Sequence, residues 1–286
     1  MFFSGLALTA FAANSVLCRL ALGDEMIDAS SFTIVRLLSG TIVLVTLTRI
    51  RKSGPILTPK RDWSASFMLF LYAISFSFAY VTLDTATGAL ILFGAVQITI
   101  ILLSVISGNR LHLTEWLGVI IAFTGFVYLL LPGVSTPSLI GFLLMTIAGI
   151  AWGIYTLKGR HSKNPLEETA NNFLKTLPIV IIVIIVTIQN VSYTTQGVVL
   201  AALSGGLASG IGYSIWYLAL GGLSTTLAAA LQLTVPVIAA WGGVIFVSEE
   251  ITLRLTISAS MILGGILTVV LGRYYFVELR NNNQKR

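Results

Sequence analysis

Ten apolar runs, each long enough to cross a hydrocarbon core as a helix, follow one another with only short polar breaks. Their approximate limits are 3–22, 30–48, 63–83, 86–107, 113–131, 138–157, 170–189, 197–219, 224–247 and 253–272. About 20 residues rising 1.5 Å each span a core roughly 30 Å thick, so the pattern predicts an all-α integral membrane protein of ten transmembrane helices. The third and fourth runs are separated only by Leu83, Asp84 and Thr85, and the eighth and ninth only by Gly221, Gly222 and Leu223. Both pairs must therefore be tight antiparallel hairpins. The first run lacks the basic start of a secretion signal and is read as a mature helix. The chain begins almost inside it, so a few residues are expected to precede it in the natural protein.

Composition agrees with this pattern: 56% of the 286 residues are hydrophobic and 10% charged, with mean hydropathy +0.93, where soluble chains carry about 25% charged residues. The net charge of +6 follows topology. Arg49, Arg51, Lys52, Lys60 and Arg61 lie between helices two and three, Arg110 between four and five, and Lys158, Arg160 and Lys163 between six and seven. Arg273, Arg280, Lys285 and Arg286 close the chain. All fall on one side of a ten-helix chain, while Asp24, Glu25, Asp28, Asp84, Glu249 and Glu250 fall on the other with Arg254. Basic residues in short loops stay cytoplasmic, so both termini are expected inside a bacterial plasma membrane, and nucleic-acid binding is not expected. The single cysteine, Cys18, excludes an intrachain disulfide and a thiolate metal cluster.

The chain also reads as one unit written twice. Ala86–Leu131 and the stretch from Gly212 to Leu271 share an order of apolar run, polar break and glycine-bearing apolar run, about 140 positions apart. Phe11, Ala12, Ala13 and Asn14, followed by Arg19, align with Trp152, Gly153, Ile154 and Tyr155, followed by Arg160. Five helices per half is an odd number, so the second half enters from the opposite side and the repeats are inverted, as in many secondary transporters. The expected division is a first repeat over 1–135, a second over 136–272 and a basic cytoplasmic tail over 273–286, with Pro132–Pro137 as the linker.

These residues carry a resemblance to the ten-helix EamA group of the drug/metabolite transporter superfamily, over the whole chain. In the first half it rests on Asn14 with Arg19 and on Phe32 with Arg36; in the second, on Ala151–Tyr155, on Pro236 with Val237 and on Glu249. The first repeat departs from the pattern, with Val96 in the place of Pro236, Asn109 in the place of Glu249, and Phe11 in the place of a tryptophan. The resemblance implies alternating access without ATP hydrolysis and, most simply, export of amino acids or related small metabolites. It also implies a cavity among helices one to four and six to nine, with helices five and ten peripheral as supports or as a homodimer surface. Uptake or exchange of a larger anion, such as a nucleotide derivative, is the alternative cargo. An intramembrane lipid-processing enzyme and a non-transporting helper subunit are the remaining alternatives.

Arg36 lies about two turns inside the second helix, where a cation costs about 2.5–3.5 kcal/mol on insertion scales and must face protein or water. It holds a substrate carboxylate or phosphate, or it snorkels outward or pairs with Asp24, Asp28 or Asp84. Arg19, nearer its helix end, is expected to snorkel. Asn14, Gln97, Asn171, Asn172 and Gln232 are amides in or beside apolar runs, where they line the path or bridge helices. Tyr72, Phe76, Phe78, Tyr80, Trp152, Tyr155, Tyr213, Trp216 and Tyr217 wall a cavity or form an interfacial belt. The candidate substrate set is Asn14, Arg36, Tyr80, Gln97, Trp152, Tyr155, Asn172, Trp216 and Gln232. Pro236 is the candidate hinge, a static kink being the other reading, and Pro178 is a second candidate kink. Small residues four apart, Gly149 with Gly153, Gly206 with Gly210 and Ala208 with Gly212, predict close helix packing. The chain has no phosphate-binding P-loop, and its two histidines, His112 and His161, read as cytoplasmic loop residues. No catalytic residue, cofactor or metal is expected. Asp84, Glu115 and Glu249 all fall at helix ends, so proton coupling, exchange and facilitated diffusion stay open.

Overall fold

A helix in hydrocarbon satisfies its own backbone and turns its polar side chains toward protein, and the chain solves this problem ten times. The structure is a computed structural model that describes residues 2–51, 63–106, 108, 112–131, 136–160, 162–223, 228 and 231–274. Lys52, Lys60, Arg61, Asn109, Arg110, His161, the linker residues Pro132–Ser135 and the tail beyond Tyr274 lie outside the described residues. The helices are α1 (Phe2–Gly23), α2 (Ala29–Ile50), α3 (Ser64–Tyr80), α4 (Thr85–Ile106), α5 (Leu113–Leu130), α6 (Leu139–Gly159) and α7 (Pro165–Thr187). They continue with α8 (Thr195–Leu220), α9 (Thr234–Val247) and α10 (Leu253–Arg273). Eight are long and apolar enough to cross a membrane; α3 and the described part of α9 are shorter. Large apolar side chains on α5, α7 and α9, among them Phe123, Ile185 and Trp241, face outward, while Asn14, Arg36, Asn171 and Asn172 are buried.

Several boundaries depart from the hydropathy pattern. α7 begins at Pro165, five residues before its apolar run, because a proline at the first helical position and Glu167 and Glu168 in the first turn favour a helix start that is polar. α3 ends at Tyr80, and the tight turn through Thr82 and Leu83 completes the hairpin. α8 is not uniform: between Thr195–Leu203 and Gly212–Leu220 its backbone widens into a π-helical segment, Ser204–Ile211. α9 starts just before Pro236, and Leu233 is a turn between helical Leu231–Gln232 and α9. The backbone bond that Pro236 cannot donate would go to residue 232, so the break falls where the donor is missing.

Exchange of the two halves maps the helix contacts onto themselves. α1 packs on α8 and α9 as α6 packs on α3 and α4, and α2 meets α7, α4 meets α9 and α5 meets α10. The connections α1–α2, α3–α4, α5–α6, α7–α8 and α9–α10 gather at one end, here called the acidic end because it carries Asp24, Glu25, Asp28, Asp84, Glu249 and Glu250. There Asp28 caps α2 by accepting from Ser31 N (2.9 Å) and ties in the α7–α8 connection by accepting from Ser192 N (3.0 Å). Burial alone would raise the Asp28 carboxyl, but the bonds from Ser31, Ser192 and Ser30 outweigh it and hold the group below its ordinary value. Arg254, at the start of α10, bonds the Leu131 carbonyl and Thr136 on the α5–α6 connection. α1 ends at this acidic end and α6 begins there, so the halves run antiparallel.

Glycine fixes the closest of these crossings. On α5 and α10 a Cβ at Gly265 would stand 2.6 Å from both Ala122 N and Gly118 O, so the two backbones touch. Gly264, its neighbour, faces open space. Gly265→Ala is therefore expected to lower stability by about 1–3 kcal/mol through overpacking, whereas Gly264→Ala leaves it unchanged or slightly raised. Thermal unfolding of the two variants in detergent checks the contrast.

Candidate functional site

Arg36 on α2 is a buried charge, 1% exposed. It neither snorkels nor meets Asp24, Asp28 or Asp84: its partners are neutral hydroxyls. Nε donates to Ser209 Oγ at 3.1 Å, and Nη2 donates to the hydroxyls of Tyr72 (3.0 Å) and Tyr213 (2.8 Å). The guanidinium carbon lies 5.0 Å from the centroid of the Tyr72 ring and 4.8 Å from that of Phe76. Nη1 is buried with no hydrogen-bond partner among the described residues. No ion pair to Arg36 occurs among them either, whereas Arg19 makes two.

The widened turn of α8 builds this environment. Ser204 and Ser209 are five residues apart, which places them on one face in a π-helical segment and on different faces of an α-helix. Ser209 meets Arg36, and Ser204 Oγ donates to Asn14 Oδ1 at 2.5 Å, while Asn14 Nδ2 donates to the Tyr72 hydroxyl at 3.2 Å. Gly205 brings this segment against the Arg36 carbonyl and Ser39, and Gly40 packs against Phe173 and the Gly205 carbonyl. The expected small-residue pair Gly206 and Gly210 lies on the same crossing, against Val43 and near Leu44.

Counterpart residues of the two halves meet here. The Tyr72 and Tyr213 hydroxyls, 141 positions apart, are 3.2 Å from one another. The rings of Phe11 and Trp152, aligned in the sequence repeat, touch edge to face at 5.6 Å. Arg36 and Asn172 are each the eighth residue of their helices. One contact of Asn172 is the counterpart of an Arg36 contact, since Oδ1 accepts from Ser66 Oγ on α3 where Arg36 meets Ser209 on α8; Nδ2 donates to the Tyr155 hydroxyl instead, and both bonds are long at 3.5 Å. The fold is thus symmetric and its central charge is not.

Of the residues singled out in the sequence, Asn14, Arg36, Trp152, Tyr155, Asn172 and Trp216 converge. The Trp152 ring lies 4.5 Å from Tyr213, 5.0 Å from Tyr72 and 5.4 Å from Tyr155, and Trp216 lies 5.7 Å from Phe11. Tyr80 sits one layer toward the acidic end, against Phe76 at 4.8 Å, with its hydroxyl donating to the Thr85 carbonyl at 3.3 Å. Gln97 is buried in α4, and Gln232 is buried in the helical turn that ends at Leu233, where its Oε1 meets no donor among the described residues. Pro236 is buried at the start of α9. Phe78, read with the aromatic wall, points outward and is 41% exposed.

Arg19 does not snorkel as expected, because Glu249 offers it a better partner. Arg19 Nε donates to Glu249 Oε1 at 3.2 Å, Nη1 to the Tyr80 carbonyl at 3.3 Å and Nη2 to Asp84 Oδ1 at 3.4 Å. Both Glu249 oxygens also accept from Thr85 N at 2.9 Å, and Oε1 accepts from Thr85 Oγ1 at 3.1 Å. Thr85 opens α4, so the carboxylate sits where the helix dipole favours it. This latch joins α1 and the α3–α4 turn of one half to the α9–α10 connection of the other. A vestibule of about 210 Å³, lined by Asp84, Glu249, Glu250, Ser138 and Thr252 among others, adjoins it.

Cys18, buried beside Arg19, is a built-in reporter of this closure. Glu249→Gln keeps an acceptor oxygen but removes the charge that holds Arg19 and the α4 terminus. It is expected to raise the rate of Cys18 alkylation in native protein several-fold, with no change in denaturant; an unchanged native rate contradicts a latch at this place.

A model of the EamA-like transporter family matches residues 139–271. An uncharacterized protein of Pseudomonas aeruginosa is 45% identical over 268 residues, covering 94% of this chain and 93% of its own. An uncharacterized transporter of Archaeoglobus fulgidus is 26% identical over 208 residues, covering 71% of this chain and 74% of its own. A solved crystal structure superposes with a TM-score of 0.65 over 93% of this chain and 98% of its own; at 19% identity this is a likeness of fold.

Proposed function

The chain belongs to the EamA-like transporter family of the drug/metabolite transporter superfamily, and on that premise we propose that it is a carrier moving a small metabolite by alternating access. The observation that carries the proposal is the buried polar centre where Asn14, Arg36 and Tyr72 of one half meet Ser204, Ser209 and Tyr213 of the other. Rocking of one half against the other exposes such a seam to either side in turn. The family match over 139–271 spans one five-helix unit, which supports repeats over 1–135 and 136–272 with a tail over 273–286. The basic loops support an acidic end that faces outward and termini that face the cytoplasm of a bacterium. In this arrangement the Arg19–Glu249 latch is the outer closure, and the break before Pro236 is the point about which α9 bends to release it. The outer apolar faces of α5 and α10 contact lipid or a second copy.

The resemblance favours outward movement of an amino acid or related compound. Arg36 favours the second reading, an anionic cargo. Counterflow in liposomes tests the carrier itself: vesicles preloaded with one solute at a time from a panel of amino acids, organic acids, amines and nucleotides are expected to accumulate the labelled form of at least one. Ser209→Val, which removes a hydroxyl at the seam, is expected to slow that exchange about tenfold. No protein-dependent accumulation of any class overturns the carrier reading.

A further inference from the structure

The charges and hydrogen-bond donors at the seam are out of balance, and the imbalance has a chemical complement. A guanidinium carries five N–H donors; those of Nε and Nη2 reach Ser209, Tyr72 and Tyr213, and Nη1 reaches nothing among the described residues. The indole N–H groups of Trp152 and Trp216 are likewise buried without a partner among those residues. The Tyr72 oxygen accepts from Arg36 at 3.0 Å and from Asn14 at 3.2 Å, which fills its two lone pairs, and its own O–H faces the Tyr213 hydroxyl at 3.2 Å, so it has no acceptor capacity to spare. Donors outnumber acceptors, and the single positive charge has no carboxylate in contact among the described residues. A buried charge and buried N–H groups in this state are costly unless something supplies the missing acceptors.

Building on the carrier reading, we infer that the seam binds a monovalent carboxylate with an apolar body, its carboxylate taking the unfilled N–H groups of Arg36 and Trp152. One carboxylate brings two oxygens with about four lone-pair directions and one negative charge, enough to take the Nη1 N–H groups of Arg36 and the N–H of Trp152 together. Phe11, Phe76 and the faces of Trp152 and Tyr213 supply an apolar wall for the rest of the molecule. A zwitterionic amino acid leaves the Arg36 charge uncompensated overall and brings an ammonium group into a region already rich in donors. A nucleotide brings more negative charge than one guanidinium balances. The seam therefore selects against both.

The test uses the full-length purified protein at pH 7.5 with phenylacetate, hexanoate, their neutral amides, phenylalanine, succinate and AMP as probes. Phenylacetate or hexanoate is expected to raise the unfolding temperature in a concentration-dependent way, at least tenfold more tightly than its amide, phenylalanine or AMP. Arg36→Lys keeps the charge but cannot both hold the three hydroxyls and present spare N–H groups, and is expected to weaken that binding about tenfold. Trp152→Phe keeps an aromatic side chain while removing the indole N–H together with the five-membered ring, so it reports even if the arginine variant does not fold; it is expected to weaken acid binding about three- to tenfold and leave the amide, which sees the same loss of ring volume, unaffected. Equal binding of acid and amide, preference for the zwitterion or nucleotide, or no stabilisation by either acid overturns the inference. Counterflow separates the two claims: exchange of amines or zwitterions alone sinks the carboxylate inference and leaves the carrier. Acid binding that depends on Arg36 without exchange of any solute sinks the carrier and leaves the site.

Discussion

One buried charge organises the centre of this protein. Arg36 is held by three neutral hydroxyls and two aromatic rings, and each of these comes from a helix that must be placed to reach it. Tyr72 fixes the approach of α3, while Ser209 and Tyr213 fix that of α8. The π-helical segment and Gly205 follow from the same demand: the backbone of α8 must come up to the Arg36 carbonyl and still turn Ser204 and Ser209 inward. A buried cation that settled into a salt bridge would be locked. Hydroxyl partners hold the side chain in place while leaving its charge available.

The two halves are alike in contact and unlike in charge. Symmetric pairs such as Tyr72 with Tyr213 and Phe11 with Trp152 lie across the seam. Asymmetry enters at Arg36 against Asn172, and again at the Glu249 latch, since Asn109 stands where the first half would repeat Glu249. The acidic end is therefore closed by a charged lock bound to a helix terminus. The Arg36 seam and the Arg19–Glu249 contact use different residues, with Tyr80 lying between them.

Much of the architecture was legible in the sequence because hydrocarbon thickness sets helix length and leaves little freedom to polar residues. Arg36 stood out as a lone cation in an apolar run, and the repeat aligned Phe11 with Trp152, although their contact across the seam was not read from it. What the pattern hid has physical reasons. Glu167 and Glu168 kept the first turn of α7 out of the apolar run. Ser204 and Ser209 are ordinary residues in glycine-rich text, and only the widened helix puts both on one face; their spacing of five beside Gly205, Gly206 and Gly210 was the available signal. The Arg19–Glu249 contact joins residues 230 positions apart, beyond the reach of local pattern, so Arg19 read as a snorkelling residue.

Alternating exposure of the Arg36 seam is tested most directly by a thiol placed beside it. Ser209→Cys in a Cys18→Ala background puts one cysteine at the seam, to be labelled with a membrane-impermeant reagent from either face of oriented vesicles. Modification from both faces, with reagent applied first on one side blocking the other, is the predicted result. Modification from one face only under every condition, or from neither, contradicts it.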